Sequence, residues 1–151
     1  LDLSGSDQPA LDKLHYLGYL HFLNLSSCSL EQADLVNLTH VKVLDLSANN
    51  LTTISLDGDD VPALETLSLS SAGLYNVSLR ALGQLTKLDL SFNYLNTITL
   101  TKDNMSAVEI INLSSAALFQ VKLVGLMHVK QVDLGGQSPS ATILPVVFPC
   151  S

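Results

Sequence analysis

Four histidines, His15, His21, His40 and His128, are the side chains best suited to a metal ion or to general-base work. Their spacing argues against both. His40 and His128 stand 88 residues apart, with Gln84 midway between them. They are equivalents in a repeat, and four coils at a strand spacing of roughly 4.8 Å would hold them about 20 Å apart. The acidic run Asp57-Gly58-Asp59-Asp60, followed by Val61-Pro62, offers carboxylates to a cation. It lacks the alternation and the closing bidentate Glu of a calcium loop, and reads instead as a solvated turn in which Asp60 caps a short helical turn. No phosphate-cradling glycine loop and no nucleophile elbow occurs. The expectation is a chain that is not an enzyme, with no cofactor, no metal site and no catalytic residue.

Cysteines and asparagines carry the remaining covalent chemistry. Cys28 falls in the second coil of the repeat described below, and Cys150 follows the seventh. Five coil spacings put those coils about 24 Å apart, whereas a disulfide needs Cα atoms within about 7 Å. Cys28 is therefore expected as a buried thiol, and Cys150 as a free thiol, a member of a truncated cysteine cap or an interchain bridge. Six of the nine asparagines begin Asn-x-Ser/Thr: Asn24, Asn37, Asn50, Asn76, Asn104 and Asn112. With 27 Ser and Thr among 151 residues, about one or two such triplets would arise by chance. All six are candidate N-glycosylation sites, and their number favours an extracellular chain, secreted or part of an ectodomain. Unpaired cysteines favour the cytoplasmic alternative. Leu1 reads as the start of a mature chain or an excised piece, with no leader visible.

Composition narrows the class further. Hydrophobic residues make up 47% of the chain, enough for a continuous core. No apolar run approaches the 18 or so residues that a membrane helix needs. Ile143-Leu144-Pro145-Val146-Val147-Phe148-Pro149 is the longest, and its two prolines exclude a helix. A net charge of −7 with only 7 basic residues disfavours nucleic acid and anionic membrane surfaces. The partner expected is a protein.

What positions these residues is a repeat. The second leucine of each Leu-x-Leu pair falls at Leu3, Leu25, Leu46, Leu69, Leu90, Leu113 and Leu134. Steps of 21 to 23 residues mark a solenoid. Leu46 to Leu90 spans 44 residues, as does Leu69 to Leu113, so two kinds of coil alternate. One has Asn49 or Asn93 three residues after this leucine, and the other has Cys28, Ala72 or Ala116. An asparagine amide both donates and accepts, so it can bond the backbone of a turn. Alanine cannot, and an interrupted asparagine ladder is expected, with water or a different turn in those coils. Segments such as Leu51-x-x-Ile54-x-Leu56 and Leu95-x-x-Ile98-x-Leu100 return the chain. They leave no room for a full helix, so extended legs or single 3₁₀ turns are expected. Leu134-Gly-Gly-Gln-Ser-Pro139 breaks the pattern. Residues 1–140 are expected as one solenoid of about seven coils, and 141–151 as an apolar tail or partial cap.

Leu44-Asp-Leu-Ser-Ala-Asn-Asn-Leu51 and Leu88-Asp-Leu-Ser-Phe-Asn-Tyr-Leu95 resemble the leucine-rich-repeat motif Leu-x-x-Leu-x-Leu-x-x-Asn-x-Leu. The resemblance covers residues 1 to 137. It implies an α/β-type right-handed solenoid, a horseshoe with a parallel sheet on its concave face and short extended or 3₁₀ segments on the convex side. The short returns are similar to those of extracellular leucine-rich regions in insect immune proteins.

Such coils bind through the concave face. The outward position between the strand leucines reads Asp2, Asn24, Asp45, Ser68, Asp89, Asn112 and Asp133, and the flanking column reads Phe22, Val43, Thr66, Lys87, Ile110 and Gln131, with Phe92 as a second aromatic. Phe22, Asn24, Asp45, Lys87, Asp89, Phe92, Asn112 and Asp133 are the candidate binding residues, forming a mildly acidic groove for a basic or extended partner. The competing reading is that Leu-Asp-Leu-Ser is the generic solenoid strand, with Asp kept for solubility. The absence of Trp, Tyr and Arg along the strands argues against a tight hot spot there. Two functions follow as expectations. One is a protein-recognition module of the immune or adhesion type. The other is a structural module that forms homo- or hetero-dimers through an uncapped end or the tail.

Overall fold

A strand needs alternate side chains buried and a partner on each edge, and a coil of this length supplies one short stretch of each kind per turn. The computed structural model describes residues 1–11 and 18–137, and the backbone of 142–143. In chain order its strands are β1 (Phe22–Asn24), β2 (Val43–Asp45), β3 (Thr53–Asp57), β4 (Thr66–Ser68), β5 (Asn76–Arg80), β6 (Lys87–Asp89), β7 (Thr97–Thr101), β8 (Ile110–Asn112), β9 (Gln120–Val124), β10 (Gln131–Asp133) and β11 (Thr142–Ile143). β1, β2, β4, β6, β8 and β10 form one parallel six-stranded sheet in that order, and Asp2 bridges to Asn24 at its first edge. The five-residue strands lie on a second flank, where β3 pairs with β5, and β7, β9 and β11 pair together, all parallel. The fold is a parallel β-solenoid.

Of the two return geometries expected, the extended one is found. No α-helix occurs among the described residues, so the α/β designation is corrected to all-β. Four returns spend five residues as a strand whose second and fourth side chains turn toward the core, as in Ile54 and Leu56 or Ile98 and Leu100, while the return between β1 and β2 has no strand. Six or so remaining residues cannot propagate a helix.

The six-stranded sheet is built of three-residue strands because each ends on the same device. The middle residue, Leu23, Leu44, Leu67, Leu88 or Ile111, is buried. Three residues after the last strand residue, the chain turns through a left-handed conformation in every coil: Gly5, Ser27, Ala48, Ser71, Phe92, Ser115 and Gly136 have φ between 51° and 71°. Five of the seven are not glycine, so each carries the strain of a Cβ in that region, about 1 kcal/mol. Hydrogen bonds between coils hold them there, including Ala48 N–H to Ser70 O at 2.9 Å and Phe92 N–H to Ser114 O at 2.9 Å.

The turns bury backbone amides, and asparagine meets that demand. Asn93 is buried. Its Oδ1 accepts the Leu74 N–H at 2.9 Å, and its Nδ2 donates to Leu69 O, Leu90 O and Ser91 O at 2.8, 2.9 and 3.1 Å. Asn49 does the same, accepting from Cys28 N–H and Leu30 N–H and donating to Leu25 O and Leu46 O. Each asparagine therefore bonds its own coil and the one before it. That is why the alanine coils need no asparagine. Ala72 O and Ala116 O accept instead from Leu51 N–H at 2.8 Å and Leu95 N–H at 3.0 Å. The gap expected in the ladder is closed by protein, and no described buried side-chain nitrogen or oxygen lacks a partner. Cys28 is a buried free thiol, as its position predicts, with Sγ donating to Leu3 O at 3.0 Å.

The ladder also runs further than the motif suggests. Gln137, 44 residues after Asn93, accepts the Leu118 N–H on Oε1 at 2.8 Å and donates from Nε2 to Leu113 O. These are the Asn93 bonds to Leu74 and Leu69 moved on by one double coil. The sequence at 134–137 thus continues the pattern and does not break it. Replacing Asn93 by Ala strips four backbone groups of their partner, so Asn93→Ala is expected to lower stability by about 3 kcal/mol. Ala48→Gly relieves a left-handed Cβ and should raise stability by up to about 1 kcal/mol. Urea unfolding followed by circular dichroism measures both, and equal effects of one sign would contradict this account.

Candidate functional site

Strand register decides which outward residues share a surface. Pairing is Phe22↔Val43↔Thr66↔Lys87↔Ile110↔Gln131 and Asn24↔Asp45↔Ser68↔Asp89↔Asn112↔Asp133. Both columns read from the sequence are thus rows across six adjacent strands. β4, β6, β8 and β10 line an open depression of about 360 Å³ on this face. Lys87, Asp89, Asn112 and Asp133 come together there, with Thr66 and Gln131 beside them. Phe22, Asn24 and Asp45 lie outside it on β1 and β2, and Phe92 lies beyond the end of β6.

The acidic column has a backbone task. Asp45 Oδ1 accepts the Ser47 N–H and Asp89 Oδ1 the Ser91 N–H, both at 2.9 Å. Asn24, Asn112 and Asp133 hold Ser26, Ser114 and Gly135 in the same way. Each side chain closes an Asx turn that ends its strand. Asp2 does this for Ser4; the Ser4 N–H first, and the Ser4 hydroxyl second, hold its carboxyl below the usual range. Since the folded value is the lower one, any stabilisation from Asp2 is present above about pH 4 and fades as pH falls through the folded value. One Oδ of each aspartate is used by the backbone, and Asp89 uses its second to accept from Asn112 Nδ2.

At the centre of the face these side chains join. The Ser91 hydroxyl donates to Asp89 Oδ1 at 2.6 Å and lies 2.9 Å from the Ser70 hydroxyl, Asn112 Nδ2 donates to Asp89 Oδ2 at 3.2 Å, and the Ser114 hydroxyl donates to Asn112 Oδ1 at 2.8 Å. A polar chain crosses from β4 to β8. Lys42 pairs with Glu65 at 2.7 Å and Lys130 with Glu109 at 2.9 Å, whereas Lys87 has no ion-pair partner among the described residues.

Other candidates separate. Among the sequons, Asn37, Asn50 and Asn76 are exposed, and Asn24, Asn104 and Asn112 are half-buried. Cys150 and His15 lie outside the described residues. His21 and His40 do meet, with ring centroids 6.2 Å apart and Tyr19 at 5.9 Å from His40. They are 19 residues apart, off the repeat period, and the comparison of His40 with His128 hid their nearness. Among the described residues no three His, Cys, Asp or Glu side chains cluster as metal ligands. In the acidic turn the cap is Asp57, not Asp60. Asp57 Oδ1 accepts the Asp59 N–H at 3.1 Å and Asp57 O accepts the Asp60 N–H at 3.0 Å, because Asp57 is where β3 ends. Among the described residues no helix is long and apolar enough to cross a membrane.

Reading along the strands also missed aromatics. Tyr75, Tyr94 and Phe119 are exposed in the turns just past the sheet, and the first two stack. The signal was the 44-residue spacing of Tyr75 and Phe119. Compared with known families and with curated proteins, the chain matches none.

The backbone role of the acidic column is measurable. Asp89→Ala leaves the Ser91 N–H without its acceptor and should cost about 1 to 2 kcal/mol, while Asp89→Asn keeps an Oδ1 acceptor and should stay within about 0.5 kcal/mol of wild type. Urea midpoints that fall equally for both would show that charge, and not the Asx bond, is what the position requires.

Proposed function

We propose that this chain is a leucine-rich-repeat solenoid of the right-handed, horseshoe kind, with the six-stranded sheet on its concave side, and that it recognises a protein partner without catalysis. The observation carrying this reading is the outward face of β4 to β10. Two rows of outward side chains across those four strands, polar except for Ile110, frame a depression there, and a connected hydrogen-bond chain holds Asp89 and Asn112 within it before any partner arrives. Preorganised side chains lose little entropy on binding. The carboxylates on this face bond backbone N–H groups of their own turns, an arrangement suited to presenting a fixed shape and charge.

The reading extends to compartment. Six Asn-x-Ser/Thr triplets, three of them with exposed asparagines, support an extracellular, glycosylated chain of the immune or adhesion-receptor type. Asn37, Asn50 and Asn76 are outside the rows that frame the depression, so glycans on them leave it open.

Two experiments test this. Selecting peptides from a display library against the folded chain should yield binders whose affinity falls at least about tenfold on Asp89→Lys with Asp133→Lys, and does not change on Ser55→Lys with Ser78→Lys on the other flank. Binders that follow the second pair would remove the sheet face from consideration. Expression through a eukaryotic secretory route, followed by glycopeptide mass spectrometry, should show occupancy at Asn37, Asn50 and Asn76. An unmodified secreted chain would refute the glycoprotein reading.

A further inference from the structure

Exposed aromatic rings are concentrated at one edge of the sheet face. Phe92, Tyr94, Tyr75 and Phe119 are 61%, 54%, 52% and 52% exposed, and all four belong to three of the four coils that line the depression. Tyr75 and Tyr94 stack with ring centroids 5.2 Å apart and planes 22° from parallel. The stack is held by the backbone, since Tyr94 N–H donates to Leu74 O at 2.8 Å. Tyr75 and Phe119 hold equivalent positions two coils apart, the Tyr75–Tyr94 stack joins neighbouring coils, and water-exposed rings grouped in this way mark an interface.

Charge names the partner. Asp89 sits three residues before Phe92, and Asp45, Asp89 and Asp133 recur every 44 residues along the same edge of the strands. Acidic residues outnumber basic ones 14 to 7, and Lys42 and Lys130 are already neutralised by glutamates. An anionic row running beside exposed π-faces is complementary to a guanidinium, which lies flat on an aromatic ring while its N–H groups donate to carboxylate oxygen. We infer that the Phe92–Tyr94–Tyr75–Phe119 edge anchors an arginine-bearing extended segment of the partner protein, with the aspartate row beside it. This rests on the sheet face being a recognition surface and specifies what that surface takes.

The test uses fluorescein-labelled Gly-Arg, Gly-Lys and Gly-Glu repeat octapeptides and a neutral β-glucan hexasaccharide, with binding to the whole chain read by anisotropy for the peptides and by calorimetry for the sugar. The Gly-Arg peptide should bind tightest, Gly-Lys more weakly, and Gly-Glu not at all. Tyr75→Leu with Tyr94→Leu keeps apolar area and removes the π-faces. It should raise Kd for Gly-Arg about three- to thirtyfold, with the thermal melt unchanged. Asp45→Asn with Asp89→Asn should raise Kd and flatten its salt dependence. If the aspartate pair weakens binding and the tyrosine pair does not, the aromatic anchor is overturned while the sheet-face reading stands. Equal binding of Gly-Arg and Gly-Glu, or binding of neither, overturns the cationic partner, and the display selection then judges the face independently. Tight binding of the hexasaccharide that depends on the tyrosines assigns the edge to carbohydrate and overturns the inference as well.

Discussion

A coil that directs all its leucines at one axis cannot bury them by itself, and stacking a second coil on it buries the turn backbone along with the leucines. That buried backbone is the constraint on which the structure depends. A peptide N–H or C=O left without a partner away from water costs on the order of 1 to 3 kcal/mol, and every turn presents several. Asn49, Asn93 and Gln137 answer this by each bonding two coils at once. One such side chain every 44 residues suffices because its amide serves the coil before it as well as its own. The double repeat is therefore a unit of hydrogen bonding as well as of sequence, and on the second flank β3–β5 and β7–β9 join each such unit to the next.

The same economy shapes the outward face. Aspartate or asparagine at the end of a short strand satisfies the N–H two residues on, and the left-handed residue that follows turns the chain out of the sheet. Five of the six strands repeat this, with Ser68 ending β4 instead, so polar side chains are aligned at about 4.8 Å intervals largely by backbone requirements. A ligand surface built on such a row needs few residues of its own. What distinguishes one part of the face from another is what lies around the row: Lys87 and Gln131 on one side, and Phe92, Tyr94 and Tyr75 on the other. The competing view, that Leu-Asp-Leu-Ser is a structural strand, is correct for one oxygen of each aspartate, and at Asp89 the other is bonded to Asn112.

Much of this was legible in the sequence, for a definite reason. Period and alternation are local properties, and a solenoid converts sequence distance into spatial distance by a constant factor. The coil boundaries, the two outward columns and the buried Cys28 all follow from residues 21 to 23 apart having to lie one above another, while periodicity leaves the choice of extended returns over 3₁₀ turns open. Gln137 was legible too, at 44 residues from Asn93, but a motif that demands asparagine hides a glutamine that reaches the same two groups with one more methylene. Asp57 was obscured by the acidic residues after it, because only the end of β3 shows which carboxylate caps the turn.

Other features were decided only when the coils were stacked. Which carbonyl an asparagine reaches in the neighbouring coil, how Ser70, Ser91, Asp89, Asn112 and Ser114 join into one chain, and where a depression opens depend on side-chain rotamers set by neighbours 21 to 24 residues away. Tyr75 and Tyr94 are 19 residues apart, off the repeat period, and meet although one stands two positions further past its strand leucine than the other. Periodicity determines which positions share a column. The handover between columns is set by how each turn closes, and that is a property of the packed backbone.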